Sequence, residues 1–224
     1  TDTSGCWHEY ELESQTTLKA LSTSEISKRF RGFLPVVIDV ETGGFNSRTD
    51  ALLEVGAVLL QMDRQGILSI KKSFCVDIDP FQGAVIEPSA LEFNRIDLKD
   101  PDRMALHERD ALQTIFRPIR REISITGCSR AIMVAHNAHF DQGFINAAVE
   151  RNQIKRNPFH PFSCFDTATL AGLAYGQTVL GRACQCANIQ YENSEAHNAL
   201  YDAMKTAEIF CRIVNRWREL EGLA

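Results

Sequence analysis

The stretch Leu34-Pro35-Val36-Val37-Ile38-Asp39-Val40-Glu41 constrains the chain more than any other. Its apolar, β-branched character predicts a buried strand, yet it carries two carboxylates at alternate positions. Side chains two apart on a strand project from the same face, so Asp39 and Glu41 stand side by side. Burying an unpaired acid there costs on the order of several kcal/mol. Either the two are strand-end acids facing water, or they share a cation. Thr42-Gly43-Gly44 follows at once and predicts a turn, which leaves both readings open.

The remaining pattern supplies the setting. Residues 52–60 form a second apolar run, 62–66 a turn and 67–78 a third strand, which predicts an antiparallel start to a sheet. Short helical signals cover 89–94, and a longer one covers 104–122 with Leu106, Leu112, Ile115, Phe116 and Ile119 on one side and Pro118 as a candidate kink. Residues 131–135 read as a strand buried on both faces, ending at His136-Asn137. Segments 141–153 and 164–175 read as helices separated by a proline-containing loop at 157–162, and 199–220 as a firm amphipathic helix with Leu200, Ala203, Ala207, Phe210, Val214 and Trp217 on its apolar side. Strands first, then alternating helices and strands, predict an α/β domain with a mixed central sheet flanked by helices. Residues 1–27, rich in Ser, Thr and Glu, are expected to be a mobile N-terminal extension, leaving 28–224 as the folded domain.

With 224 residues, 44% of them hydrophobic, the chain can bury a sizeable core, which excludes general disorder. No apolar run approaches the roughly 20 residues that span a bilayer, and no basic start leads into an apolar stretch. The expectation is a soluble cytoplasmic protein without a membrane partner. Seven dispersed cysteines fit reduced thiols rather than a disulfide framework. Cys184 and Cys186, the one close pair, lack partners at zinc spacing. A formal charge of −5 excludes a protein that holds polyanions by bulk positive charge. Local basic patches, bound cations or stacking remain open to it.

Two further acids lie in telling places. Asp141 follows the strand that ends at His136-Asn137, at a strand-to-helix junction where open α/β sheets place ligand contacts; taken alone, a helix cap explains it. Asp202 lies early in the last helix with His197 five residues before it, where the helix dipole alone favours an acid. Taken together, four carboxylates offer oxygen ligands for hard divalent cations, and a histidine adds a group that titrates near neutral pH.

Three segments in order, Ile38-Asp39-Val40-Glu41-Thr42-Gly43, His136-Asn137-Ala138-His139-Phe140-Asp141 and His197-Asn198-Ala199-Leu200-Tyr201-Asp202, resemble the motifs of the DEDD exonucleases. These enzymes have the ribonuclease-H-like fold, and the match is to the DEDDh subgroup, whose third motif carries a histidine. Stretches outside the motifs, among them Phe30-Arg31-Gly32-Phe33, Thr49-Asp50-Ala51-Leu52-Leu53-Glu54, Lys155-Arg156-Asn157-Pro158-Phe159-His160-Pro161-Phe162 and Ile213-Val214-Asn215-Arg216-Trp217, are similar to an RNA-trimming branch of that subgroup. The similarity covers about residues 28–218.

The resemblance implies a 3′–5′ exoribonuclease that trims short single-stranded 3′ ends of tRNA and other structured RNAs, and single-stranded DNA 3′ ends as well. Its products would be nucleoside 5′-monophosphates. Asp39, Glu41, Asp141 and Asp202 would hold two Mg²⁺ ions, with Mn²⁺ able to replace them, and His197 would deprotonate the attacking water. Paired cations about 4 Å apart suit phosphodiester cleavage because they stabilise both the entering and the leaving oxygen. Phe45, Phe93, Phe140 and Phe162 would stack the terminal bases, at roughly 1–3 kcal/mol per base. Arg29, Arg31, Arg120 and Lys155 would contact phosphates at the active site of the other subunit of a homodimer. One position departs from the branch: Ser89 stands where it has a glutamate associated with terminal-base discrimination. Three other readings are a polymerase-associated proofreading exonuclease with the same motifs, a non-catalytic nucleic-acid-binding module on the same fold, and a thiol hydrolase using His136 or His160.

Overall fold

A computed structural model describes residues 24–221. Six strands form one mixed sheet: β1 (Phe33–Thr42), β2 (Leu52–Met62), β3 (Leu68–Asp79), β4 (Leu106–His107), β5 (Arg130–Ala135) and β6 (Phe159–Asp166), in the order β4-β3-β2-β1-β5-β6. The first three strands are antiparallel, as their pattern predicts, while β5 runs parallel to β1 and β6 parallel to β5. The helices are α1 (Pro88–Asn94), α2 (Glu108–Thr126), α3 (Ala138–Arg151), α4 (Thr167–Tyr175), α5 (Leu180–Cys186) and α6 (Ala199–Glu221). Consecutive residues of β1 and β2, such as Val36, Val37 and Ile38, are fully buried, so both faces of the central strands are covered. α6 packs on β1, β2, β3 and β5 with α4 and α5 against it, and α2 and α3 pack together on the sheet as a second group. No helix of the described residues is long and apolar enough to cross a membrane.

Several expected boundaries shift, each for a local reason. Cys164 to Asp166 belong to β6 and not to a helix. Only Thr167–Tyr175 is helical, started by Asp166, whose carboxylate accepts the Ala168 N–H at 2.9 Å. The expected loop at 157–162 contributes Phe159 to Phe162 to the same strand. The long helix begins at Glu108 because Leu106 and His107 pair with Ile78 and Asp79. Trp217, expected on the buried face of the last helix, is 54% exposed.

Most of the expected extension lies outside the described residues. Its last part does not: Ser24 bonds the Thr126 carbonyl through both N–H and Oγ, and Ile26 is buried. The packed chain therefore reaches back at least to Ser24, ahead of the expected start at residue 28.

One contact fixes how the sheet meets the last helix. A Cβ at Gly56 in β2 would collide with the backbone of Ala199 and Leu200, so the absent side chain lets the first turn of α6 lie directly on the sheet. Gly56 is registered opposite Asp39, which brings the third sequence motif to the first.

Candidate active site

The C-terminal end of β1, the start of α3 and the start of α6 converge on a cleft of about 610 Å³. Its wall includes Asp39, Glu41, Asp141, His197 and Asp202 together with Phe45, Phe93 and Phe140. Carboxylate oxygens of Asp39, Glu41 and Asp202 lie within 4.8 Å of one another. The fourth acid is held differently: Asp141 Oδ1 accepts the Val40 N–H at 3.1 Å, inside the first motif.

The electrostatics are those of buried carboxylates that repel one another. Burial, and then the charges of Asp141, Glu41, Asp202 and Glu54, push Asp39 well above the usual carboxylate range. Glu41 is pushed up to about 8 by burial and by Glu54, Asp202 and Asp141. Burial also raises Asp141 and Asp202, opposed in the first by its own backbone N–H and that of Val40, and in the second by His197. Crowded oxygen donors with no cationic side chain among them are the chemistry of a hard divalent cation site. Asp39, Glu41 and Asp202 fit such an ion, and Asp141 faces the same cleft.

The third motif is folded tightly. His197, at φ 66°, donates its backbone N–H to Asp202 Oδ2 at 3.0 Å. Tyr191 donates its hydroxyl to Asp202 Oδ1 at 3.4 Å. The His197 ring lies 3.8 Å from that of Phe93. His136 is committed elsewhere: its Nε2 faces the Thr178 carbonyl at 2.8 Å and its Nδ1 the Thr167 hydroxyl at 3.0 Å. Both nitrogens are engaged, which removes the geometry a thiol hydrolase would need there.

Of the four phenylalanines, three share the cleft. Phe45 is 87% exposed and Phe93 61%, an uncommon state for aromatics that the core could otherwise use. Phe45 meets Phe140 edge-on at 6.3 Å. The loop that presents Phe45 is braced from within: the Asp50 carboxylate occupies the space a Cβ would need at Gly44 and accepts the Asn46 N–H at 2.9 Å. Phe162 is also exposed but lies outside the cleft wall, edge-on to His160 at 4.5 Å. Ser89 lines the cleft.

None of Arg29, Arg31, Arg120 and Lys155 lines it. Arg31 lies over the Phe33 ring at 5.0 Å, and Arg120 donates to the Arg156 carbonyl at 3.0 Å. One chain by itself does not bring these cations to the acids.

Glu54 was not singled out from the sequence. It is registered opposite Glu41, buried, and accepts the Cys75 thiol at 2.9 Å. The signal was present, since Glu54 interrupts the apolar run at 52–60 just as Asp39 interrupts its own strand.

A family model described as an exonuclease, that of ribonuclease T, matches residues 36–210. The ribonuclease T of Hahella chejuensis (strain KCTC 2396) is 61% identical over 199 residues, covering 89% of this chain and 91% of the relative. Among solved structures, Escherichia coli exonuclease I in complex with a dT13 oligonucleotide superposes with a TM-score of 0.63 at 16% identity, over 85% of this chain and 43% of that one. This chain thus spans less than half the length of exonuclease I. The nuclease domain of 3′hExo, a DEDDh family member bound to rAMP, superposes with a TM-score of 0.61 at 16% identity, over 81% of this chain and 92% of that one.

Proposed function

The chain belongs to the ribonuclease T family of exonucleases and is a 3′–5′ exonuclease of ribonuclease-H-like fold; from that premise we propose that it trims short single-stranded 3′ ends of structured RNAs, tRNA among them. The observation that carries this reading is the juxtaposition, in one cleft, of a crowded carboxylate cluster with the exposed rings of Phe45 and Phe93. Exposed rings stack bases of any sequence, and a cleft that ends in acids suits a strand terminus.

In this reading Asp39, Glu41, Asp141 and Asp202 hold two Mg²⁺ ions. When bound, the cations neutralise the cluster and stabilise the charge that develops on the scissile phosphate. His197 takes the proton of the attacking water, held in place by its backbone bond to Asp202. Phe45, Phe93 and Phe140 clamp the terminal bases, and the leaving products are nucleoside 5′-monophosphates. That dT13 and rAMP are bound to the structural neighbours supports a substrate range of RNA and single-stranded DNA ends.

Arg29, Arg31, Arg120 and Lys155 serve the cleft of a second copy in a homodimer, which accounts for their absence from their own cleft. The exonuclease domain is packed from at least Ser24 onward, with the chain before it as an extension, and a cytoplasmic location follows from its RNA substrates. A 3′-extended tRNA precursor tests the reading: stepwise loss of the extension to the base of the acceptor stem, with nucleoside 5′-monophosphates as products, is expected. Internal cleavage, or products bearing a 3′-phosphate, would overturn it.

A further inference from the structure

The segment between α5 and α6 carries His197, yet residues 187–198 contain no regular helix or strand. Its N-terminal half is tied to α6, where the Glu192 N–H donates to the Tyr201 hydroxyl oxygen at 2.6 Å. Its middle is tied to a different part of the molecule. Arg95 Nη1 donates to the Ser194 carbonyl at 2.5 Å, three residues before His197. Arg95 closes α1 with φ 59° and ψ 24°, the left-handed region in which a helix is ordinarily ended by glycine and a Cβ is disfavoured. A backbone conformation that suits glycine is thus occupied by a long side chain that crosses to the histidine loop.

The anchor at the other end of this bridge is firm. Asn94 Nδ2 donates to the Thr42 carbonyl at 3.1 Å, fixing α1 to the end of the strand that carries Asp39 and Glu41. Phe93, the residue before Asn94, lies against the His197 ring. The acids, α1, Arg95 and the loop form one continuous chain of contacts, and His197 hangs from its last link.

We propose that Arg95 is a positioning residue that holds the 192–198 loop against α1, so that the His197 imidazole is presented to the carboxylate cluster at a fixed place. The proposal rests on the role given to His197 above. Because the Arg95–Ser194 bond is exposed, it adds little to fold stability; its effect falls on geometry, where a displacement of about 1 Å costs up to about 100-fold in rate.

The test uses the full chain, Mg²⁺ at saturation and a single-stranded 3′ overhang, comparing Arg95→Gly, Arg95→Lys, His197→Ala and the Arg95→Gly/His197→Ala pair by steady-state kinetics. Glycine suits the backbone at residue 95, so Arg95→Gly keeps or raises Tm. It is expected to lower kcat about tenfold with KM within about twofold, with Lys restoring part of the rate. In the His197→Ala background it causes no further loss, because residues that act through one another are not additive. An unchanged kcat, a rise in KM alone, an equal loss in the His197→Ala background, or a loss that follows a fall in Tm would each overturn the proposal. A His197→Ala variant with the wild-type rate would instead overturn the role of His197 on which the proposal rests.

Discussion

The backbone N–H of Val40 donates to Asp141 Oδ1 at 3.1 Å, so the acid of the second motif is fastened to the strand position between the two acids of the first. The bond fixes the carboxylate while the residue lines the cleft. Asp141→Asn keeps an acceptor for Val40, while Asp141→Ala leaves a buried N–H unpaired at a cost of about 1–3 kcal/mol. Both variants should lose at least about 100-fold in activity, more than changes around a metal site usually cost. Only the alanine variant should also melt early, by about 2–4 °C per kcal/mol, as read by thermal unfolding in EDTA.

The carboxylate cluster destabilises the metal-free protein. Asp39 is raised by burial and by four neighbouring acids, so Asp39→Asn removes a repelled charge. In EDTA it should raise Tm by about 2–4 °C for each kcal/mol relieved, while it abolishes cleavage. A fall in the metal-free Tm would show that Asp39 is stabilised by its surroundings and would contradict the electrostatic account.

The same cluster sets a pH dependence whose sign follows from Glu41. Its pKa is about 8 in the fold against an ordinary 4.5, so between these values the folded protein holds a proton that the unfolded chain has released. Its contribution to metal-free stability is complete below 4.5 and is lost as pH rises to about 8. Mg²⁺ should reverse the trend, because a carboxylate must release its proton to bind metal. Thermal unfolding in EDTA and in Mg²⁺ from about pH 5 to about pH 8 should give curves that diverge as pH rises. Mg²⁺ added near pH 7 in weak buffer should acidify the solution.

Two phenylalanines separate binding from stability. Phe45 is 87% exposed, whereas Phe144 is buried in the core. Phe45→Ala should weaken binding of a single-stranded 3′ end by about 1–3 kcal/mol and leave Tm nearly unchanged. Phe144→Ala should destabilise the fold by about 3–5 kcal/mol. Fluorescence anisotropy with a labelled oligonucleotide in Ca²⁺, paired with thermal unfolding, checks both.

Asp141, His197 and Asp202, each ordinary by itself as a cap or a helix-start residue, were legible only as an ordered set that resembles the exonuclease motifs; Asp39 and Glu41 stood out because they interrupt a strand whose burial is continuous. The central strands were legible for the same reason of continuous burial. Strand β6 was not, because it is a half-buried edge strand containing Pro161 and polar residues. At an edge, proline is tolerated and the alternation of burial is weak; its register on β5 also shifts between Ala131 and Met133. The contacts of Arg95 with Ser194 and of Tyr191 with Asp202 depend on loop paths that no local period encodes. The placement of Phe45 and Phe93 beside the acids came from resemblance, since composition alone puts most phenylalanines in the core.

The most direct test of the central claim is cleavage of a 3′-labelled stem with a short single-stranded overhang, with Mg²⁺ and with EDTA, by the wild-type chain and by Asp202→Asn. Trimming of the overhang only by the wild-type chain and only with Mg²⁺ is the predicted result. Trimming that survives EDTA, or that proceeds undiminished in Asp202→Asn, would contradict catalysis by a metal-loaded carboxylate cluster.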